Sequence, residues 1–215
     1  MPSVTIKGPL GNLEGRYHAA ESPTAPVALV LHPNPQFGGS MNNMVVYTMF
    51  TTFVDCGFSA LRFNYRGVGR SEGQFSADGG EVEDAVEPLD WLQAQFPNAS
   101  AKWVGGFSYG AMIALKLLAK RKEFAGFIAV SPPAKKYDFT FLDADVAPGL
   151  FLHGEADTLI PPEGTVELVE RLRSGGAAVE YIGIPAAGHF FDNQQEELTN
   201  AMRAYLAKRG FEKAR

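Results

Sequence analysis

The chain has one cysteine, Cys56, among 215 residues. No disulfide can form within it, so it is not a small cross-linked secreted scaffold, and a reducing, cytoplasmic setting is the expectation. No apolar run approaches the ~18 residues of a membrane span. The opening MPSVTIKGPLG has no charged stretch followed by an apolar one, so it does not read as a secretory leader. Charge is modest: 19 Lys and Arg against 24 Asp and Glu leave a net −5, which argues against a nucleic-acid partner or an anionic membrane surface. No repeat or low-complexity segment is present. The sequon Asn98-Ala99-Ser100 carries no weight in a protein expected in the cytosol.

What is abundant is apolar residue, 46% of the chain against 20% charged. That supports a sizeable core and excludes disorder. The length suits one α/β domain, expected over residues 1–215. Two short strands, Val4–Lys7 and Leu13–His18, flank the turn-rich GPLGN and read as an antiparallel hairpin. Short apolar runs then alternate with helical patterns. Strands are expected at Val27–Leu31, Ala60–Tyr65, Lys102–Gly105, Phe127–Val130, Leu150–Leu152 and Val179–Ile184. Helices are expected at Asn42–Cys56, at Ala111–Lys120, Glu163–Arg173 and Glu196–Lys208, and along Val82, Ala85, Val86, Leu89, Leu92 and Phe96. Pro88 lies inside that last pattern and should kink or break it. The alternation predicts a mostly parallel sheet of about eight strands with helices on both faces. Chemistry in such sheets sits outside the carboxyl ends of the strands.

One of the loops there is Gly106-Phe107-Ser108-Tyr109-Gly110, a G-x-S-x-G between a strand and a helix. A serine on so sharp a turn crowds its surroundings, so glycine is needed at 106 and 110. The hydroxyl then stands at a helix N-terminus, where the dipole favours a developing anion. A serine needs a base. Of four histidines, His18 lies in the hairpin, and His32 and His153 end strands before tight turns, which suits structural hydrogen bonds. His189, in the loop after the last strand, is the candidate base. The base needs a carboxylate. Asp157, in HGEAD, is the choice, with Glu155 as the alternative. The chain order is then Ser, Asp, His.

The motifs HPNPQFGG, FNYRGVGRSEG and GFSYG extend this reading. With them the whole chain resembles the α/β-hydrolase superfamily, and more narrowly its small lidless bacterial serine hydrolases. Dienelactone hydrolases are similar in fold but use cysteine where Ser108 stands. The resemblance implies ester hydrolysis without naming a substrate. Acyl transfer also needs donors to an oxyanion. One is expected to be the Tyr109 N–H and the other to come from HPNPQFGG. Between Pro33 and Pro35 only Asn34 has an N–H, so Asn34 is the expected donor and Gln36 the alternative.

Two further features invite other readings. GVGRSEG follows a strand, but GQFSADGG after it does not open a helix, so a nucleotide site is not expected. Arg66 and Ser71 are expected to pin that loop instead. The acidic run Glu81, Glu83, Asp84 and Glu87 reads as a solvated helix start, not a metal site. The span 131–149 is too short for a large lid. Phe139, Phe141 and Leu142 would then cover one side of an open site, with Phe37, Phe75, Leu159 and Phe190 at its rim. The expected function is cleavage of short or medium acyl esters through an acyl-enzyme, with no metal or cofactor and a small-molecule ester as the partner. A thioesterase, an acyltransferase or a small-amide peptidase would use the same residues, and a non-catalytic binding protein is the rival of another class. Monomer and homodimer stay open.

Overall fold

A computed structural model describes residues 1–75 and 79–212. Eight strands, β1 (Ser3–Gly8), β2 (Gly11–His18), β3 (Val27–Leu31), β4 (Ser59–Phe63), β5 (Lys102–Phe107), β6 (Gly126–Val130), β7 (Gly149–Gly154) and β8 (Val179–Ile184), form one sheet. Their order is β1-β2-β4-β3-β5-β6-β7-β8. β1 and β2 pair antiparallel, as do β2 and β4; every other pairing is parallel. This is the α/β-hydrolase fold.

Five helices cover the sheet: α1 (Met44–Asp55), α2 (Glu81–Gln95), α3 (Tyr109–Lys120), α4 (Glu163–Ser174) and α5 (Gln195–Lys208). Side chains alternate along a strand, so each central strand feeds two cores. In β3, Val27, Leu29 and Leu31 join the core under α2, α3 and α4, while Ala28 and Val30 join the one under α1 and α5. That is why β3 and β6 are apolar throughout.

Helix starts shift slightly from the sequence expectation. Asn43 caps α1, its Oδ1 accepting from Val45 N at 3.0 Å and Val46 N at 3.4 Å, so the helix begins after it. Of the kink or break expected at Pro88, the break is absent: α2 continues through the proline to Gln95. Val82, Ala85, Leu89 and Leu92 hold the helix to the sheet on both sides of the proline. Burial of that stripe offsets the lost hydrogen bond, which costs about 3 kcal/mol in an unsupported helix. Residues 131–148 form turns only, so there is no lid. Among the described residues no helix is long and apolar enough to cross a membrane. Part of GQFSADGG, residues 76–78, lies outside the described residues.

Candidate active site

β5 delivers Ser108 at the carboxyl edge with φ 55° and ψ −120°, a left-handed conformation that costs a non-glycine residue about 1–3 kcal/mol. The surroundings hold it there. Ser108 N–H donates to Val130 O at 2.8 Å, and its carbonyl accepts from Ala111 N at 2.9 Å as α3 begins. A side chain at Gly106 would strike the Gly110 backbone, and one at Gly110 would strike the Leu31 and His32 carbonyls at the end of β3. The two glycines thus let the elbow close on itself and on the neighbouring strand.

The loops after β7 and β8 are fastened together. Ala156 N–H donates to Ala187 O at 2.9 Å, and Gly154 lies against that carbonyl with no room for a side chain. This brings Asp157 to His189. His189 Nδ1 is 2.7 Å from Asp157 Oδ2, and His189 Nε2 is 3.1 Å from Ser108 Oγ. The carboxylate can only accept, so Nδ1 carries the proton and Nε2 is left to accept from the serine hydroxyl. Phe107 and Phe190 pack on the imidazole, with ring centroids at 4.9 and 5.2 Å. Glu155, the alternative carboxylate, lies over Gly183 of β8.

Asp157 is buried, and burial alone would raise its pKa. Hydrogen bonds from His153, His189 and the Ile160 N–H outweigh burial and hold the carboxyl well below the usual carboxylate range. Its Oδ1 takes Leu159 N at 3.0 Å and Ile160 N at 2.8 Å. The sequence reading missed His153 as a partner of this group. His153 Nε2 faces Ile160 O at 2.8 Å and Asp157 Oδ2 at 3.3 Å, both acceptors, so it donates. Its spacing of four residues from Asp157 was the available signal.

His32 is structural, as expected of its position. Nδ1 lies 2.8 Å from Pro33 O and Nε2 accepts from Tyr65 N at 3.1 Å, which uses both nitrogens of one neutral tautomer. Burial lowers its pKa to about 3 against a smaller opposing effect of the Pro33 carbonyl. The ring anchors the loop that follows. There Asn34 Oδ1 accepts from Gln36 N at 2.8 Å, which occupies the alternative oxyanion donor. A 3-10 turn at Pro35–Phe37, not expected from the sequence, is closed by Phe37 N and Gly39 N on Asn34 O at 3.1 and 3.0 Å. Among the described residues the Asn34 N–H has no hydrogen-bond partner, and Asn34 lines the cleft with Ser108 and Tyr109.

That cleft holds about 280 Å³. Phe37, Leu159 and Phe190 stand exposed at its rim. Three expected wall residues are elsewhere: Phe139 and Leu142 are buried in the core, and Phe141 stacks on Phe139 at 5.7 Å. Arg171, donating to the Phe139 and Leu142 carbonyls at 2.8 and 2.9 Å, holds that stretch on α4. Phe75 packs on the far side of Tyr109, in an adjoining cleft. The wall comes instead from Pro133, Lys136, Tyr137 and Ile160, with Asn43 at one end. Pro133, Lys136 and Tyr137 follow β6 directly, and nearness to the strand end was the better guide than apolar type.

The acidic run is also corrected. Glu83 is exposed, but Glu81 and Asp84 are fully buried. Asp84 takes Arg66 Nε at 2.9 Å, Nη2 at 2.8 Å and the Arg66 N–H at 2.9 Å. Arg66 also donates to Gly80 O, and Ser71 Oγ donates to Asn64 O at 2.7 Å, so both residues pin the loop after β4. Glu81 accepts from the Tyr109 hydroxyl at 2.8 Å and so braces the residue next to Ser108. Among the described residues no group of three or more His, Cys, Asp or Glu side chains is placed to hold a metal ion.

Comparisons with known proteins agree with this architecture. Residues 15–143 match the family model of the X-Pro dipeptidyl-peptidase (S15 family). An uncharacterised protein of Rickettsia prowazekii is 45% identical over 211 residues, covering 96% of this chain and 89% of that one. A protein of unknown function from Agrobacterium tumefaciens has 42% identity and a TM-score of 0.93, covering 97% of this chain and 96% of that one. A lidless α/β serine hydrolase from Xanthomonas campestris has 30% identity and a TM-score of 0.86, with 96% and 94% covered. The chain therefore belongs to the α/β-hydrolase superfamily, within the X-Pro dipeptidyl-peptidase (S15) family, and is a hydrolase of the serine type.

Proposed function

We propose that the protein cleaves carboxylic esters of short or medium acyl chain through an acyl-enzyme on Ser108. The observation that carries this is the hydrogen-bonded series Ser108 Oγ, His189 and Asp157 at 3.1 and 2.7 Å. Ser108 Oγ attacks the ester carbonyl while His189 Nε2 takes its proton. Asp157 holds the tautomer and stabilises the imidazolium. The oxyanion is met by the backbone N–H groups of Tyr109 and Asn34, each donor worth about 2.7–4 kcal/mol. The tetrahedral intermediate expels the alkoxide, which takes the proton from His189. Water then loses a proton to His189, attacks the acyl carbon and releases the carboxylic acid, and Ser108 regains its proton.

The family's dipeptidyl-peptidase name raises a peptide substrate. Such a substrate presents a free N-terminal ammonium. Among the described residues the cleft lining includes Lys136 and no carboxylate, which favours an ester over a peptide amine. The decisive experiment is fluorophosphonate labelling beside turnover of 4-nitrophenyl acetate and butyrate, a butyryl thioester and an alanyl-prolyl nitroanilide. Wild-type protein is expected to label and to prefer the oxygen esters, with both properties lost in Ser108→Ala and His189→Ala. A folded wild-type protein that does not label refutes the triad, and preference for the thioester or the nitroanilide refutes the ester reading.

A further inference from the structure

Lys136 stands exposed at the cleft, and Lys116 sits half-buried one cleft further on. The second cleft, about 170 Å³, shares Asn34, Tyr109 and Tyr137 with the Ser108 cleft, so the two adjoin. Lys116 and Gly79 also line a third hollow of about 460 Å³, with Lys120 and Phe141. Adjoining clefts therefore form a groove-like surface from Ser108 past Tyr137 to Lys116.

Its charge is one-sided in a chain of net charge −5. Among the described residues no carboxylate lines the first two clefts. The lysines held in ion pairs are Lys122, Lys135 and Lys208; among the described residues neither Lys116 nor Lys136 has one. Lys116 Nζ lies 6.0 Å from the Phe141 ring. Asp138, which lines neither cleft, has an exposed carboxylate that accepts from Thr140 N and Oγ1 at 2.8 Å each. Glu83, in the third hollow, leans toward Arg66 at 3.9 Å. The N-terminus of the twelve-residue α3 opens on the same groove and adds partial positive charge. Unpaired cations between apolar walls focus a field that draws anions.

We infer that the ester taken by this groove carries a negatively charged group, with Lys116 and Lys136 as the specificity residues that receive it. The inference rests on the ester reading above. Aromatic side chains at Phe75, Tyr137 and Phe190 suit a short apolar spacer between the ester and the anion.

The test pairs neutral and anionic substrates. On the acyl side, 4-nitrophenyl butyrate is set against the 4-nitrophenyl hemiester of glutaric acid. On the alcohol side, 4-acetoxybenzamide is set against 4-acetoxybenzoate. Each is measured on the full chain, wild type and with Lys116→Met, Lys136→Met and Lys116→Arg. At least one anionic substrate is expected to exceed its neutral partner in kcat/KM by about fivefold or more at low salt. The arm that does so identifies the end of the substrate that points along the groove. The ratio should fall as NaCl rises from about 20 to about 500 mM. It should fall toward one in Lys116→Met and partly in Lys136→Met, mainly through KM, and be retained in Lys116→Arg. Neutral esters turned over as well as both anionic ones overturn the inference and leave the esterase standing. A preference that survives loss of both lysines overturns their assignment. A folded protein that labels with no substrate and turns over no ester overturns the ester reading, and this inference with it.

Discussion

Acidification should destabilise this fold in a window set by His32. The imidazole is fully buried at the end of β3, donating through Nδ1 to Pro33 O and accepting at Nε2 from Tyr65 N. A second proton would turn Nε2 into a donor facing another donor. Its pKa falls from 6.5 to about 3. Below pH 6.5 the unfolded chain binds a proton that the folded chain refuses, so stability rises with pH across the window. It is complete above 6.5 and declines as pH falls toward about 3. The slope is about 1.4 kcal/mol per pH unit, or about 2.7 kcal/mol between pH 6.5 and about 4.5. Asp157 does not interfere there: its carboxyl is held low, so its contribution persists above the unfolded value of about 3.9. Urea unfolding at several pH values, on wild type and His32→Gln, reads the effect as a difference in slope. The variant is expected to be less stable at pH 7 and flatter by about 1.4 kcal/mol per unit. Parallel curves, or a folded-state NMR titration of the His32 ring near pH 6, would refute the reasoning.

Further outcomes follow from the site. Asp157→Asn keeps its oxygen on the Leu159 and Ile160 N–H groups and turns its NH2 to His189, forcing the tautomer with Nε2 protonated. A kcat loss of about 10³- to 10⁴-fold, with circular dichroism unchanged, is expected; a loss under tenfold is incompatible with the proposed role. Gly110→Ala should abolish soluble folded protein or activity, because its methyl meets the Leu31 and His32 carbonyls; wild-type kcat and Tm would contradict the packing. Arg66→Met leaves Asp84 buried without its ion pair and should cost about 3–5 kcal/mol in denaturant unfolding. Tyr109→Phe and Glu81→Leu both remove the 2.8 Å contact behind the elbow, so their effects on kcat should be non-additive in the double variant; additive losses would show that the two do not act through each other.

The triad candidates were legible because each lies next to strong local punctuation. Ser108 sits between glycines at a strand-to-helix change, and Asp157 and His189 follow apolar strands at the same sheet edge. The cleft wall was not legible in this way. Phe139, Phe141 and Leu142 looked suited to a pocket, yet turns after β6 carry them into the core and leave Lys136 and Tyr137 facing Ser108. Glu81 and Asp84 looked solvated because a helix start normally is; their partners, Tyr109 and Arg66, lie 28 and 18 residues away.

Local periodicity and turn chemistry by themselves determined the order of strands and helices, the edge where chemistry gathers and the residues of the elbow. Those signals act over a few residues, where backbone sterics and one-sided burial leave little choice. The tertiary structure alone decided which polar groups are buried together. His153 beside Asp157, Glu81 behind Tyr109 and Lys116 in its cleft depend on how distant loops and helices pack. The cost of burying charge is settled between partners far apart in the chain, and no local pattern records that pairing.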